Sequence, residues 1–176
     1  INSGLTELGI NCLATNGSTL VAGGSRVFIS LNNGTTWSAA NTAADIGPGA
    51  VTSIASIVFN GTDIFAGTFY SLFKSSDNGA TWFEKRSGFT GFPPIYSLAV
   101  KDGYVFAGVG NSGVYRSSDN GESWTQSNNS ITGGGYYQNY LSVVGNVLFR
   151  GGQSGALFVS TDNGENWTSA SSGIPS

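Results

Sequence analysis

The sequence predicts an all-β chain made of one four-stranded unit repeated four times, and three observations carry that expectation. The octapeptide Ser75-Ser76-Asp77-Asn78-Gly79-Ala80-Thr81-Trp82 returns in altered form as residues 30 to 37, 117 to 124 and 160 to 167, and these copies hold all four tryptophans. Trp37, Trp82, Trp124 and Trp167 stand 45, 42 and 43 residues apart, and a fixed period of that size marks propellers or solenoids. Runs such as Ile64-Phe65-Ala66-Gly67 and Val105-Phe106-Ala107-Gly108 combine β-branched and aromatic residues with a closing glycine. No stretch keeps apolar residues at helical spacing for three turns. Finally, the pairs Asn16-Gly17, Asn60-Gly61, Asp102-Gly103 and Gly145-Asn146 punctuate the apolar runs with residues that tolerate positive φ in tight hairpins.

Four short antiparallel strands make one propeller blade, so residues 1–176 are expected to form a single β-propeller or propeller segment. Its repeats lie near 6–50, 51–92, 93–135 and 136–176. The strands of the first repeat are expected at Ile10 to Thr15, Thr19 to Gly23, Val27 to Ser30 and Thr36 to Ala40, and those of the second at Ile54 to Phe59, Asp63 to Gly67, Leu72 to Ser75 and Thr81 to Lys85. The third repeat reads Ile95 to Val100, Tyr104 to Gly108, Val114 to Ser117 and Ser123 to Ser127. The fourth reads Asn139 to Val144, Asn146 to Gly151, Leu157 to Ser160 and Asn166 to Ala170. The recurring octapeptide forms the turn between the third and fourth strands, and each fourth strand opens on its Trp. Because strand direction alternates, this turn and the first hairpin turn share one rim of a blade. The loops that differ between repeats share the other, and such loops on a regular scaffold commonly carry binding.

Composition narrows the function classes. The chain is 39% hydrophobic and 12% aromatic with no long apolar run, as expected of a soluble domain without membrane insertion. Only 10% of residues are charged, against about 25% in ordinary soluble proteins. With a net charge of −3 and seven scattered basic residues, no footprint for nucleic acid or anionic lipid is visible. Histidine is absent and Cys12 is the one cysteine, which removes Ser-His-Asp triads, zinc sites and internal disulfides. Cys12, followed by Leu13 and Ala14, is expected to be a buried, inert thiol.

Within the octapeptide a short carboxylate can accept backbone N–H groups of its own turn, glycine supplies a left-handed conformation, and the indole packs beneath the hairpin. A single carboxylate per turn is a poor site for a hard cation that wants six or more oxygens, so a structural staple is expected and no metal or cofactor.

These turns resemble the Asp-box, or bacterial neuraminidase repeat, of sialidases, sortilin-type receptors, some glycoside hydrolases, photosystem II assembly factors and secreted bacterial propellers. The resemblance rests on Ser75, Asp77, Gly79 and Trp82, on Ser117, Asp119, Gly121 and Trp124, on Ser160, Asp162, Gly164 and Trp167, and in weaker form on Ser30, Asn32, Gly34 and Trp37. In the first box Asn32 replaces the Asp, which changes that turn's carboxylate contacts. The resemblance implies a propeller and not a reaction. A sialidase needs three convergent arginines, a Tyr–Glu pair and an acid/base Asp, and the positions of Arg26, Arg86, Arg116 and Arg150 match no such triad.

Glycosidase chemistry would need two carboxylates across a cleft. The candidates outside the boxes are Glu7, Asp45, Asp63, Glu84 and Asp102, of which Asp63 and Asp102 are explained by turn chemistry. An aromatic rim of Phe69, Tyr70, Phe92, Tyr136 and Tyr137 is the candidate ligand surface, with Phe89 near it, whereas Tyr140 is expected to pack between blades. The sequence therefore points to a non-enzymatic extracellular or cell-surface module that binds a protein partner or itself, within a larger chain or oligomer. A glycan-binding lectin and a glycoside-hydrolase fragment are the alternatives. Residues Ile1 to Leu5 resemble Ala170 to Ile174, so they are expected to continue a preceding strand, or to complete the outer edge of the fourth repeat beside Trp167.

Overall fold

The structure, a computed structural model, describes residues 3–6, 9–40, 53–131, 138–152 and 155–172. The chain divides into two compact units, Ile1–Lys85 and Arg86–Ser176, and each holds two blades. In the first unit, β1 (Cys12–Thr15), β2 (Leu20–Gly23), β3 (Val27–Ser30) and β4 (Ser38–Ala40) make one sheet in sequence order, and β5 (Ile54–Asn60), β6 (Asp63–Thr68), β7 (Leu72–Ser75) and β8 (Phe83–Glu84) make the next. The second unit repeats the plan with β9 (Ile95–Lys101), β10 (Tyr104–Val109), β11 (Gly113–Ser117) and β12 (Thr125–Gln126), then β13 (Asn139–Val144), β14 (Val147–Gly152), β15 (Leu157–Ser160) and β16 (Thr168–Ser169). Every pairing between these strands is antiparallel. The described residues contain no helix. The fold is all-β, with four propeller blades.

The hairpin turns follow their sequences. Lys101 pairs with Tyr104 across Asp102-Gly103, and both central residues are left-handed, at φ 51° and 79°, as a type I′ turn requires. Between Val144 and Val147 Gly145 comes first and alone takes positive φ, 57°, which suits its place in a II′-like turn.

The outer strands are shorter than the sequence suggests: β8, β12 and β16 have two residues each and β4 three. They do not open on the Trp. The Trp124 N–H donates to the Ser87 carbonyl at 2.8 Å and the Trp167 N–H to the Asn129 carbonyl at 3.2 Å, each away from the third strand and toward the linker before its own blade. Trp37 does the same with Ser3, at 2.8 Å, and Ser3 bridges Thr36 in parallel. Ser3 and Gly4 thus take beside Trp37 the place that Ser87 and Gly88 take beside Trp124. The place beside Trp167 is held by Asn129.

Two blades in each unit pack face to face. In the first unit Val21, Val27, Ile29 and Ala40 are buried with Ile57, Ile64 and Trp82. In the second, Phe106, Val114 and Ile131 are buried with Leu148, Phe158 and Trp167. The glycines Gly23 and Gly108 of the second strands reflect this packing. A Cβ at Gly108 would lie 2.0 Å from the Asn139 carbonyl oxygen, and one at Gly23 2.6 Å from Ile54 Cγ2, so the inner strand of the following blade approaches too closely for any side chain.

Candidate functional site

The four octapeptide turns share one hydrogen-bond pattern. The Ser hydroxyl oxygen accepts the glycine N–H, at 2.9 Å for Ser30 and Gly34, 2.8 Å for Ser75 and Gly79, 2.7 Å for Ser117 and Gly121, and 2.9 Å for Ser160 and Gly164. The same hydroxyl donates to Oδ1 of Asp77, Asp119 or Asp162 at 2.7 to 2.8 Å. That Oδ1 also accepts the N–H of Thr81, Ser123 or Asn166, and Oδ2 accepts their side chains. The residue before each glycine is left-handed as well: Asn33, Asn78, Asn120 and Asn163 lie at φ 55 to 57°. Asn is the non-glycine residue that best tolerates that region.

Hydrogen bonding to the ionised form favours it. The Thr81 hydroxyl, followed by the Thr81 N–H and Ser75, lowers the Asp77 carboxyl to about 2. Ser123 does the same to Asp119 by hydroxyl and N–H, to about 2. For Asp162 the Asn166 N–H comes first and its amide second, again to about 2. These carboxylates are engaged by their own turns. In the first box Asn32 keeps the pattern: Oδ1 accepts Ser30 Oγ at 3.0 Å and the Thr36 N–H at 2.9 Å, while Nδ2 donates to Thr36 Oγ1 at 2.8 Å. The Asp-to-Asn change reverses one hydrogen bond and preserves the turn.

The tryptophans are less uniform. Trp82, Trp124 and Trp167 are buried, with the Trp82 indole N–H donating to the Gly79 carbonyl at 3.1 Å and that of Trp167 to Ser127 at 2.8 Å. Trp37 is half-buried. Cys12 is half-buried too rather than enclosed; desolvation, opposed by its hydrogen bond to Gly23, pushes its thiol up to about 11, so it remains protonated at neutral pH.

The candidate rim is distributed over separate parts of the chain. Phe69 and Tyr70 lie in the first unit in the loop between β6 and β7, 43% and 57% exposed; Phe92 precedes β9 in the second unit, 61% exposed. The Arg86 guanidinium sits 4.2 Å from the Phe92 ring centroid. Tyr136 and Tyr137 lie outside the described residues, as do Glu7, Asp45 and the connection from Asn41 to Ala50. Phe89 is not a free rim aromatic: it packs 4.9 Å from Tyr115 and 5.2 Å from Trp124. Tyr140, expected between blades, is instead 53% exposed. It lies on the face of β13 opposite Leu141 and Val143, which pack into the core.

Ion pairs engage Asp63 and Asp102 outside the boxes and Glu165 within the fourth. Asp63 meets Lys74 at 3.0 Å, Asp102 meets Lys101 at 2.6 Å, and Glu165 meets Arg116 at 2.5 Å. Among the described residues no three His, Cys, Asp or Glu side chains gather as a metal site. Sequence reasoning missed the burial of Lys74, Lys101 and Arg150. Arg150, fully buried, donates from Nε and Nη2 to Asn139 Oδ1 at 3.0 and 2.8 Å and stacks 5.3 Å from Phe158. Its signal was an arginine at a register position where β6 and β10 carry Ala66 and Ala107.

Comparison with known proteins agrees with this geometry. Residues 158–169, the fourth box, match the BNR/Asp-box repeat. No curated protein sequence matches the chain. Among solved structures, the extracellular domain of a hybrid two-component system from B. thetaiotaomicron superposes with a TM-score of 0.70 at 16% identity, covering 92% of this chain and 22% of that one. An ancestral GH74 enzyme gives 0.69 at 20% identity, with coverages of 90% and 23%. The computationally designed Ika4 protein gives 0.61 at 14% identity, with coverages of 88% and 92%. The chain thus spans between a fifth and a quarter of the first two. An extracellular domain, an enzyme and a designed protein share this fold, so the fold does not choose among their functions.

Proposed function

We propose that this Asp-box repeat chain is a non-enzymatic extracellular or cell-surface module that acts in structure and protein interaction, as part of a larger chain or an oligomer. The observation that carries the reading is how the carboxylates are used. Those of Asp77, Asp119 and Asp162 accept three hydrogen bonds each within their own turns, and Asp63, Asp102 and Glu165 are paired with lysine or arginine. A glycosidase needs one carboxyl held protonated beside an ionised partner, whereas the box carboxyls are pushed the opposite way, to about 2. The extracellular setting draws support from the two-component-system domain of similar fold. The test is an assay for reducing ends released from a panel of plant and bacterial polysaccharides. No release is expected, and sustained turnover by the purified chain overturns the reading.

Glycan binding is the second reading, favoured by the exposed rings of Phe69, Tyr70 and Phe92, since aromatic faces suit sugar contacts. Millimolar oligosaccharides that leave the chemical shifts or fluorescence of the chain unchanged would remove it.

A further inference from the structure

We propose that the turn at Asn16-Gly17, between β1 and β2, is a site of self-modification, where the asparagine side chain closes onto the Gly17 nitrogen, loses ammonia and is opened by water to aspartyl and isoaspartyl products. The inference is independent of the function proposed above.

The chemistry starts from a repeated dipeptide. The chain holds six Asn-Gly pairs, at Asn16, Asn33, Asn60, Asn78, Asn120 and Asn163. In each, the glycine brings no side chain to hinder attack of its nitrogen on the asparagine Cγ. Ring closure needs that nitrogen on the same side as Cβ, so the backbone conformation at the asparagine decides which pair reacts.

The four box asparagines are held in the least favourable conformation. Asn33, Asn78, Asn120 and Asn163 lie at φ 55 to 57°, in the left-handed region where ψ is about +47°. A ψ of that sign turns the following nitrogen to the side opposite Cβ, away from Cγ. The glycine that would attack is buried in all four boxes, and its N–H is fixed on the box serine. Turning it round would dismantle the box. Asn60 is restrained in another way: it ends β5 paired with Asp63, and rotating its backbone breaks a ladder pair.

Asn16 differs on each count. Its φ is not positive, and it lies beyond the ladder, which ends at Thr15 opposite Leu20. Asn16, Gly17 and Ser18 are exposed, and a Cβ at Gly17 meets nothing within 4 Å, so the turn has room to move. The side chain is already folded across Gly17. Its Oδ1 accepts the N–H of Ser18 at 3.2 Å, the Ser18 hydroxyl at 3.1 Å and the N–H of Thr19 at 3.0 Å. These donors face the oxygen on which negative charge develops as the ring closes, an arrangement that stabilises such an intermediate. The Gly17 N–H donates to Thr15 Oγ1 at 3.0 Å, which gives the departing proton a path.

The Gly17 nitrogen bonds to Cγ and passes its proton through the Thr15 hydroxyl to water. The Cγ–Nδ2 bond then breaks as water protonates Nδ2, and ammonia leaves. Water adds to either carbonyl of the resulting succinimide, giving the aspartyl or the isoaspartyl chain, with no oxidant or reductant involved. Each event adds one negative charge to a chain of net −3, and the isoaspartyl product lengthens the main chain of the turn by one methylene.

The test ages the whole chain in mildly alkaline buffer, digests it and quantifies each Asn-Gly peptide by mass spectrometry, with chromatography separating the isoaspartyl form. Asn16 is expected to convert about tenfold or more faster than any box asparagine. In urea the box asparagines are expected to accelerate to the rate of an unstructured Asn-Gly pair. Thr15→Val, which keeps a β-branched strand residue, should slow Asn16 several-fold, with circular dichroism verifying the fold. The inference is overturned if Asn16 only matches or lags the box asparagines in the folded chain, if those asparagines stay slow in urea, or if Thr15→Val converts at the wild-type rate.

Discussion

At the scale of single residues, the box carboxylates make a definite prediction about acid. Asp77, Asp119 and Asp162 have folded-state values near 2 against an ordinary 3.8. A lowered folded value contributes stability that is present above the unfolded value and lost as pH falls through the folded one. Urea midpoints are therefore expected to be unaffected by these groups down to about pH 4 and to fall between about pH 4 and pH 2. Asn32 shows that an amide serves the same turn, so Asp77→Asn should cost less than ~1 kcal/mol and weaken the acid transition; an unchanged pH profile would count against the carboxylate's role. Burial predicts the tryptophans. Trp124→Ala should cost ~3 to 5 kcal/mol as a buried aromatic truncation and the half-buried Trp37→Ala clearly less, read from chemical denaturation of the two variants. Equal losses would refute the difference in packing.

At the scale of elements, the short outer strands and the linkers belong to one arrangement. The Trp124 and Trp167 amides bond outward to the preceding linker, while the N–H groups of Ser127 and Ala170, three residues on, bond inward to Val114 and Leu157. Gly88 holds that linker: at φ +98° a Cβ would lie 2.0 Å from the Trp124 carbonyl oxygen. Gly17 has nearly the same φ, +95°, with nothing within 4 Å. Gly17→Ala should therefore show the strain of an unfavourable φ alone, ~1 to 3 kcal/mol, and Gly88→Ala more. A thermal melt of the pair checks this, and similar losses would show that the linker shifts to make room.

At the scale of the whole molecule, stability depends on which blade faces are filled. Gly108 and Gly151 close equivalent second strands, yet one abuts Asn139 and the other meets nothing. Gly108→Ala is expected to lower the melting temperature strongly and Gly151→Ala hardly at all, when both are measured at dilution. A large effect at Gly151 would mean that its face is covered within one chain. The carboxylates of Asp77, Asp119 and Asp162 are occupied by their own turns.

The period of the tryptophans, the alternation of short apolar runs and the Asn-Gly turns were enough to determine four four-stranded blades and the place of each box, because these depend on local hydrogen bonding and side-chain periodicity. The first and third strands of the fourth blade, Asn139–Val144 and Leu157–Ser160, were legible to the residue. Only the tertiary structure decided that the Trp amides turn to the linkers, that Phe89 is packed while Tyr140 is exposed, and that Arg150 lies buried on Asn139. It also separated the buried tryptophans from Trp37. Each of these depends on a neighbouring strand or blade distant in sequence, and a repeat that reads the same in every copy carries no mark of which copy has a neighbour.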